Sequence, residues 1–435
     1  MDYLPNIIFA IALILGLGFF AKNVKKLKRN IMLGHDVDVS DNKSQRWKNM
    51  AMIALGQSKM VRRPIAGFLH VIVYVGFVII NIEVLEIIID GLLGTHRVFS
   101  SIGPLYGILI GAFEILALLV FVSVVLFWIR RNVIKLQRFW KSEMTSWPKN
   151  DANFILYFEM VLMTLFLVMN ATDTNFQDLN SGNIVSQFIA PWFDGFSETV
   201  LHTIERAAWW IHILGILVFL NYLYYSKHLH ILLAFPNTYY GRLKPKGALN
   251  NLEAVTAEVK MMMDPNIDPF AAPEEGVEDD VPAKFGASDV QDLNWVQLLS
   301  AYTCTECGRC TSECPANQTG KKLSPRKIMM DTRDRLEEVG KNIDANNGEF
   351  KEDGKQLLDT YITREELWAC TSCNACVEAC PVSIDPLSII IDMRRYLVME
   401  QSAAPVELNN MMTNIENNGA PWPYNQMDRL NWKNE

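Results

Sequence analysis

The sequence predicts an all-α protein in which a bundle of five membrane-spanning helices precedes a helical, cysteine-rich domain. Half of the 435 residues are hydrophobic, although the chain carries a formal net charge of −8. Long apolar stretches dominate residues 1–235, whereas residues 236–435 are polar and acidic and contain all eight cysteines. A membrane part followed by a water-soluble part explains this division.

Five apolar stretches are long enough to cross a hydrocarbon core of about 30 Å as helices. They occupy roughly residues 4–22, 65–89, 105–129, 152–171 and 207–235. The connections 22–63 and 130–151 hold eleven and six Lys or Arg, whereas 90–104 and 172–206 hold one each. The positive-inside rule therefore predicts a multi-pass protein of the bacterial cytoplasmic membrane, with the N-terminus outside and the C-terminal domain in the cytoplasm.

The cysteines form two copies of the motif C-x2-C-x2-C-x3-C-P, which is the ligand motif of bacterial ferredoxins. The copies are CTECGRCTSECP at 304–315 and CTSCNACVEACP at 370–381. In such pairs, the fourth cysteine of each motif ligates the cluster of the other motif. The predicted ligands are Cys304, Cys307, Cys310 and Cys380 for one [4Fe–4S] cluster, and Cys370, Cys373, Cys376 and Cys314 for the second.

Zinc and disulfides are the alternatives for these cysteines. Structural zinc takes four ligands, commonly as paired C-x2-C units, which leaves the third cysteine and the proline of each motif unexplained. Disulfides require an oxidising compartment, whereas the predicted topology places these residues in the cytoplasm.

Histidines inside membrane helices are costly and usually functional. His70 lies near the cytoplasmic end of the second stretch. His212 and His230, eighteen residues apart in the fifth, would share one face of a continuous helix, about 27 Å apart, while His228 would point about 160° away. Because facing imidazoles are axial ligands of haem iron, we expect His70 and His230 to hold an inner haem b, with Arg62, Arg63 and Lys227 near its propionates.

His212 is the candidate ligand of a second, outer haem and needs a partner there. His96 and His202 lie nearer the outer surface and are candidates. The alternatives are that His212 is a buried, hydrogen-bonded histidine or that it binds quinone. One of the acidic residues Glu83, Glu86, Glu114 and Glu159 could exchange a quinone proton. The alternative is that Glu83 and Glu86 lie at the outer interface and that Glu114 and Glu159 form hydrogen bonds within the bundle.

Residues 212–230, HILGILVFLNYLYYSKHLH, resemble the last helix of the membrane subunit of respiratory nitrate reductase. The resemblance covers roughly residues 1–240 and implies five helices, two haems b and a quinol site. In that family the last helix carries two haem ligands, which match His212 and His230. The second helix carries two more; His70 matches the inner one, but Ile80 stands at the outer position.

The second half begins with a predicted linker, residues 241–292. It contains Pro265, Pro269, Pro273, Pro282 and the acidic segment EEGVEDD. The predicted cluster domain is 293–400, and a C-terminal tail is 401–435. Helix-forming residues with helical spacing separate the two cysteine motifs, so we expect the clusters to lie between helices.

The segments CTECGRCTSECPANQTGKKLSPRKI and ELWACTSCNACVEACPVSIDPLSIIIDMRR resemble the iron–sulfur subunit of heterodisulfide reductase. They are also similar to the cluster domains of glycerol-3-phosphate and succinate dehydrogenases. A nitrate-reductase-like anchor fused to this domain resembles the membrane component of heterodisulfide-reductase-type respiratory oxidoreductases. The resemblance implies a separate subunit with cysteine-rich CCG motifs that docks on the cluster domain. This chain has no such motif itself, because it has no cysteine to spare.

These features predict a quinone-linked oxidoreductase subunit with no catalytic residues of its own, because the cofactors supply the chemistry. Electrons would pass between a cytoplasmic partner, two [4Fe–4S] clusters, haem b and menaquinone or another quinone. The expected partner is a CCG-domain or flavoprotein subunit, with electron-transfer flavoprotein as one candidate, and no nucleic acid. The rival hypotheses are a haem-free membrane-anchored redox sensor or assembly scaffold, and a disulfide reductase module.

Overall fold

The computed structural model describes residues 3–178, 181–245, 247–265 and 284–434. Within these residues the protein is all-α and contains no β-strand, which confirms the predicted fold class. The helices of the first half are α1 (Leu4–Ile31), α2 (Lys43–Met50), α3 (Pro64–Leu93), α4 (Pro104–Asn132), α5 (Ser146–Thr172), α6 (Thr174–Asp178), α7 (Ser186–Ile189), α8 (Glu198–Tyr222) and α9 (His230–Tyr239). Those of the second half are α10 (Glu253–Met263), α11 (Trp295–Thr303), α12 (Arg309–Glu313), α13 (Pro315–Gln318), α14 (Pro325–Ala345), α15 (Arg364–Trp368), α16 (Ala375–Ala379), α17 (Pro386–Arg395) and α18 (Val406–Asn418).

Five helices, α1, α3, α4, α5 and α8, are long and apolar enough to cross a membrane. The chain is therefore a multi-pass membrane protein, as predicted. Neighbouring helices pack in the order α3, α4, α5 and α8, and α1 contacts both α3 and α8. The fully buried side chains of Ile110, Phe113 and Phe166 fill the centre of the bundle.

The fifth spanning helix ends earlier than the sequence predicts. Helix α8 stops at Tyr222, and two single 3₁₀ turns lead to α9. The carboxylate of Asp151 on α5 accepts hydrogen bonds from the Tyr222 hydroxyl at 2.7 Å and from the Lys227 backbone N–H at 3.0 Å. This carboxylate satisfies a backbone donor that the interrupted helix leaves free.

The cysteine-rich domain packs directly against one end of the bundle. Helix α1 has 28 residues, a length of about 42 Å, so its last turns extend beyond a hydrocarbon core of about 30 Å. There Leu27 and Ile31 join one continuous apolar core with Leu298 of α11 and Leu336 of α14. The two halves therefore share a buried core.

Polar contacts reinforce this junction. The buried Asn30 amide donates to the Tyr302 hydroxyl at 3.0 Å, and the Arg29 guanidinium donates to the Gly340 carbonyl at 2.9 Å. The guanidinium of Arg326, fully buried, pairs at 2.6 Å with Glu143 from the connection between α4 and α5. Residues of α1 and of the connection between α4 and α5 thus bind the cysteine-rich domain to the bundle.

The predicted linker contains both described and undescribed residues. Helix α10 lies within it, and Ala287 and Val290 are buried in the apolar core of the second domain. Residues 266–283, which include Pro269, Pro273, Pro282 and the acidic segment, lie outside the described residues.

Gly340→Ala tests the junction between the halves. In a helix interior, alanine is normally more stable than glycine by about 1 kcal/mol. A Cβ at Gly340 would, however, lie 2.5–2.8 Å from the buried Asn30 amide. We expect overpacking to lower the free energy of unfolding by about 1–3 kcal/mol, measured by thermal unfolding in detergent. The exposed Lys341→Ala on the same helix is the control, and equal stability of the two variants would contradict a tight junction.

Candidate metal centres

Four of the eight cysteines surround one cavity. Cys304, Cys307, Cys310 and Cys380 line a space of about 380 Å³, together with Met329. The first three come from the first motif and Cys380 from the second, because the short helices α12 and α16 pack against each other. The structure therefore brings together the residues that the sequence predicts as one ligand set.

The remaining four cysteines also form a group. Cys370 lies within electrostatic reach of Cys314 and Cys373, and Cys376 lies within reach of Cys370 and Cys314. Cys314 is buried, whereas Cys373 is exposed. The second group thus contains the one cysteine of the eight that is exposed.

Both cysteine loops have the same backbone shape. Two residues after the first cysteine, Glu306 and Ser372 have positive φ angles of 54° and 56°. Four residues after it, Gly308 and Asn374 have φ angles of 70° and 59°. Left-handed residues at matching positions tighten each loop around its cysteines. In the second loop the Ser372 N–H donates to Cys370 Sγ at 3.4 Å.

The thiols need a cation in order to ionise together. Burial, with a further contribution from neighbouring thiols, raises the pKa of Cys304 to about 12 and that of Cys380 to about 11. A coordinated metal ion deprotonates such thiols. The donor set and the cavity therefore suit an iron–sulfur cluster.

The structure brings His70 and His230 together. Their ring centres are 6.4 Å apart, and the planes make an angle of 44°. Two imidazoles that bind one metal ion from opposite sides at about 2 Å have ring centres roughly 6 Å apart. His230 Nδ1 lies 3.2 Å from the Lys227 carbonyl, and His70 Nδ1 is buried without a hydrogen-bond partner. These two rings therefore suit an axial ligand pair.

The expectation that His228 points away from His230 does not hold, because the helix is interrupted between α8 and α9. The two rings contact each other with centres 5.4 Å apart. His228 Nε2 also lies 3.8 Å from the carboxylate of Glu159 on α5. The close spacing of the histidines in SKHLH is the only signal in the sequence that could have indicated this contact.

His212 is buried, and its ring contacts Phe166 with centres 6.2 Å apart. The two candidate partners lie elsewhere: His96 Nε2 is 3.3 Å from Asp173, and His202 Nδ1 is 3.9 Å from Glu205. Among the described residues, no histidine pairs with His212. The sequence signal for the missing partner of His212 is Ile80, which stands at the position of the outer histidine in the nitrate reductase family.

The acidic residues of the spans have different environments. Glu114 accepts hydrogen bonds from Asn170 and from two backbone N–H groups of the α6–α8 connection, and Glu86 accepts from Tyr106 and a backbone N–H. These two residues bond within the bundle. Glu159 faces His228, and Glu83 Oε2 is buried without a hydrogen-bond partner.

The basic residues expected near haem propionates contact the cysteine-rich domain. Arg62 pairs with Glu378, and Arg63 pairs with Glu313 at 2.8 Å. In the opposite direction, the Arg309 guanidinium of the first motif donates to the carbonyls of Lys59 and Met60 at 3.3 Å. These contacts position the first cysteine cavity against the end of α3 that carries His70.

Lys227 connects the histidine pair to the first cysteine loop. Its ammonium group forms a buried ion pair with Glu306, which lies between Cys304 and Cys307. Arg333 reaches the other carboxylate oxygen at 2.9 Å. Burial opposes ionisation of Glu306, but Lys227 and Arg333 hold its pKa below the usual range. Glu306 therefore stabilises the fold above its unfolded-state pKa, and this contribution is lost as the pH falls through the depressed value.

Fold and sites define a multi-pass membrane protein with an iron–sulfur domain. A family model described as a 4Fe-4S dicluster domain matches residues 303–384. No solved structure matches the chain.

The relatives are redox proteins. The chain is 28% identical to "Probable iron-sulfur-binding oxidoreductase FadF" of Bacillus subtilis, over 99% of this chain and 61% of the relative. It is 24% identical to "EtfAB:quinone oxidoreductase" of Syntrophomonas wolfei, over 94% of this chain and 57% of the relative. Over 35% of its length, the chain is 33% identical to "Probable membrane-anchored ferredoxin" of Chromohalobacter salexigens, and the match covers 25% of that relative.

Relatives named as heterodisulfide reductase subunits match shorter parts of the chain. The chain spans about three-fifths of the length of the first two relatives. The chain contains a segment that matches the 4Fe-4S dicluster family model, as the cysteine motifs predict, and it is similar to proteins named as oxidoreductases.

Lys227→Met tests the connection between the two centres. Removing one partner of a buried ion pair costs about 3–5 kcal/mol when the other charge is left alone, but Arg333 still pairs with Glu306, so the expected cost is about 1–3 kcal/mol. We expect Lys227→Met to destabilise the protein by such an amount at pH 7 and by less at low pH, where Glu306 is protonated. Thermal unfolding across pH measures this. The double variant Lys227→Met/Glu306→Gln should recover part of the loss, and simple additivity would contradict the coupling.

Proposed function

We propose that this chain is the membrane electron-transfer subunit of a quinone-linked oxidoreductase. It passes electrons between a cytoplasmic redox partner and the quinone pool through two [4Fe–4S] clusters and one haem b. The observation that carries the proposal is the facing pair His70 and His230, 6.4 Å apart at the end of the bundle that contacts the first cysteine cavity.

The four cysteines around the cavity, Cys304, Cys307, Cys310 and Cys380, are the proposed ligands of the inner cluster. The other four, Cys370, Cys373, Cys376 and Cys314, are the proposed ligands of the second cluster, which we place farther from the bundle histidines and nearer the solvent. The exposure of Cys373 supports electron exchange with a partner at the second set. The contacts of Arg309 with the segment before α3 support exchange between the first set and the histidines.

Haem b bound between His70 and His230 would supply one-electron chemistry inside the bundle. The Lys227 carbonyl orients the His230 ring by accepting from Nδ1–H, which leaves Nε2 for the metal. Within the described residues, His212 has no histidine partner, which supports one haem rather than two.

Quinone reduction or quinol oxidation also requires proton transfer. Glu159 and His228 are partly buried and lie 3.8 Å apart, and the His228 ring contacts that of His230. We assign this pair to proton exchange with the quinone. It lies on the side of the bundle that carries the cysteine-rich domain, which supports proton exchange near the cytoplasm.

The orientation rests on charge. The basic residues at the end of α1 and of α4 lie on the side of the cysteine-rich domain, as Lys26 with Asp344 illustrates. The positive-inside rule then assigns this domain to the cytoplasmic side of the bacterial inner membrane. The name of the Syntrophomonas relative supports an electron-transfer flavoprotein as donor and a quinone, such as menaquinone, as acceptor.

Cysteine variants test the crossed ligand sets. Cys380→Ser should disturb the same EPR signal of the dithionite-reduced protein as Cys304→Ser, because both residues line one cavity. Cys314→Ser should instead resemble Cys370→Ser. Iron content should fall from about eight per chain towards four in each variant. If Cys380→Ser resembles Cys370→Ser, each motif holds its own cluster and the assignment is wrong.

Histidine variants test the haem site. His70→Ala and His230→Ala should each abolish the optical absorbance of reduced haem b, because one axial ligand is lost. His212→Ala should keep the haem, and His228→Ala should keep it while slowing menaquinol-analogue oxidation. Haem and iron per purified chain are quantified for every variant. Absence of haem in the unmodified protein, with both clusters present, would favour the sensor or scaffold hypothesis.

A further inference from the structure

A polar cavity lies at the end of the bundle remote from the cysteine-rich domain. It is partly open to solvent and has about 330 Å³ of space between the end of α3, the loop that follows it, the end of α5 and the first half of α8. Its lining includes five carboxylates and one imidazole: Glu83, Glu86, Asp90, Asp173, Glu205 and His96. We call this space the outer cavity.

The outer cavity carries more negative than positive groups. Its guanidinium groups are those of Arg97 and Arg206, so two cations face five carboxylates. All five carboxylate residues are at most 9% exposed. Buried charges require a partner. Hydrogen bonds from neighbouring groups already satisfy Glu86 and Asp90, which leaves the three other carboxylates of the cavity for a divalent cation.

Three groups have the geometry of metal ligands. His96, Asp173 and Glu205 each offer one ligand atom, and these atoms lie within 4.8 Å of one another. His96 Nε2 and Asp173 Oδ2 are 3.3 Å apart. Two ligand atoms of one tetrahedral zinc ion, each bound at about 2.0–2.2 Å, lie roughly 3.4 Å apart.

An unsatisfied side chain gives independent support. Glu83 lines the same cavity and is 3% exposed, and its Oε2 atom has no hydrogen-bond partner. A buried carboxylate oxygen without a partner is costly. A cation in the outer cavity would satisfy it.

We propose that His96, Asp173 and Glu205 bind a divalent transition-metal cation in the outer cavity, with Glu83 facing the same ion. An imidazole with carboxylates is a donor set typical of zinc and its neighbours in the first transition row. The ion joins the loop after α3, the end of α5 and α8 at the outer end of the bundle. This site is independent of the proposed electron-transfer function, because it shares no residue with the cluster or haem sites.

Arginine competes for two of these ligands. Arg97 Nε donates to Asp173 Oδ2 at 2.8 Å, and Arg206 pairs with Glu205. Arg97 is buried, but the Arg206 side chain is 36% exposed and can turn towards solvent. Metal binding therefore displaces Arg206 from Glu205, and removal of this guanidinium should increase metal affinity.

The test uses the full chain in detergent with complete clusters, so that the cysteines are occupied, after treatment with EDTA. Zn²⁺ is titrated against a chromophoric chelator, and bound zinc is quantified by mass spectrometry. We expect one Zn²⁺ per chain, weakened about tenfold or more by His96→Asn and by Glu205→Gln. Arg206→Gln should strengthen binding.

Glu198→Gln is the matched control, because Glu198 is an exposed carboxylate in the first turn of the same helix. It should leave zinc affinity unchanged. His96 is half exposed, so its substitution tests the site even if Glu205→Gln fails to fold. Absence of stoichiometric zinc, or zinc binding that neither His96→Asn nor Glu205→Gln weakens, would overturn the proposal.

Discussion

The buried ion pair between Lys227 and Glu306 connects the two functional parts of the molecule. On one side, the backbone carbonyl of Lys227 faces His230 Nδ1, and its N–H donates to Asp151. On the other, Glu306 occupies a left-handed position between Cys304 and Cys307. One lysine thus contacts the histidine segment through its backbone and the cysteine loop through its side chain. This pair, with the other polar contacts between the two halves, fixes the relative position of the two centres.

Such a pair is not retained for stability alone. Desolvation of two charges can cancel their attraction, so an apolar pair of similar size is often equally stable. The specific contribution of Lys227 and Glu306 is geometric, since an ion pair with Arg333 as a second partner tolerates few arrangements. Around this ion pair lies the continuous apolar core that includes Leu27, Leu298 and Leu336. Its burial stabilises the contact between the two halves of the protein without fixing a particular geometry. The cysteine-rich domain is therefore held rigidly against the membrane bundle.

The two ends of the bundle have different chemistry. At the end facing the cysteine-rich domain, three histidines, His70, His228 and His230, have adjacent rings and few charged neighbours. At the other end, carboxylates and guanidinium groups form a network that includes His96. His212 lies apart from both sets and contacts Phe166. The groups proposed for electron transfer therefore lie at one end of the bundle, and the proposed cation site lies at the other.

Local features of the sequence determined the helical class, the five spans and the pairing of the cysteine motifs. Apolar length decides whether a helix can cross a bilayer, and a cysteine spacing restricts how thiols can surround a cluster. The pairing of His70 with His230 was also predicted, from depth in the membrane. Only the tertiary structure decided the end of α8 at Tyr222, because the carboxylate that satisfies the interrupted backbone comes from Asp151, 71 residues earlier. The contact of His228 with His230 follows from that interruption, and long-range contacts of this kind leave no periodic signal in the sequence.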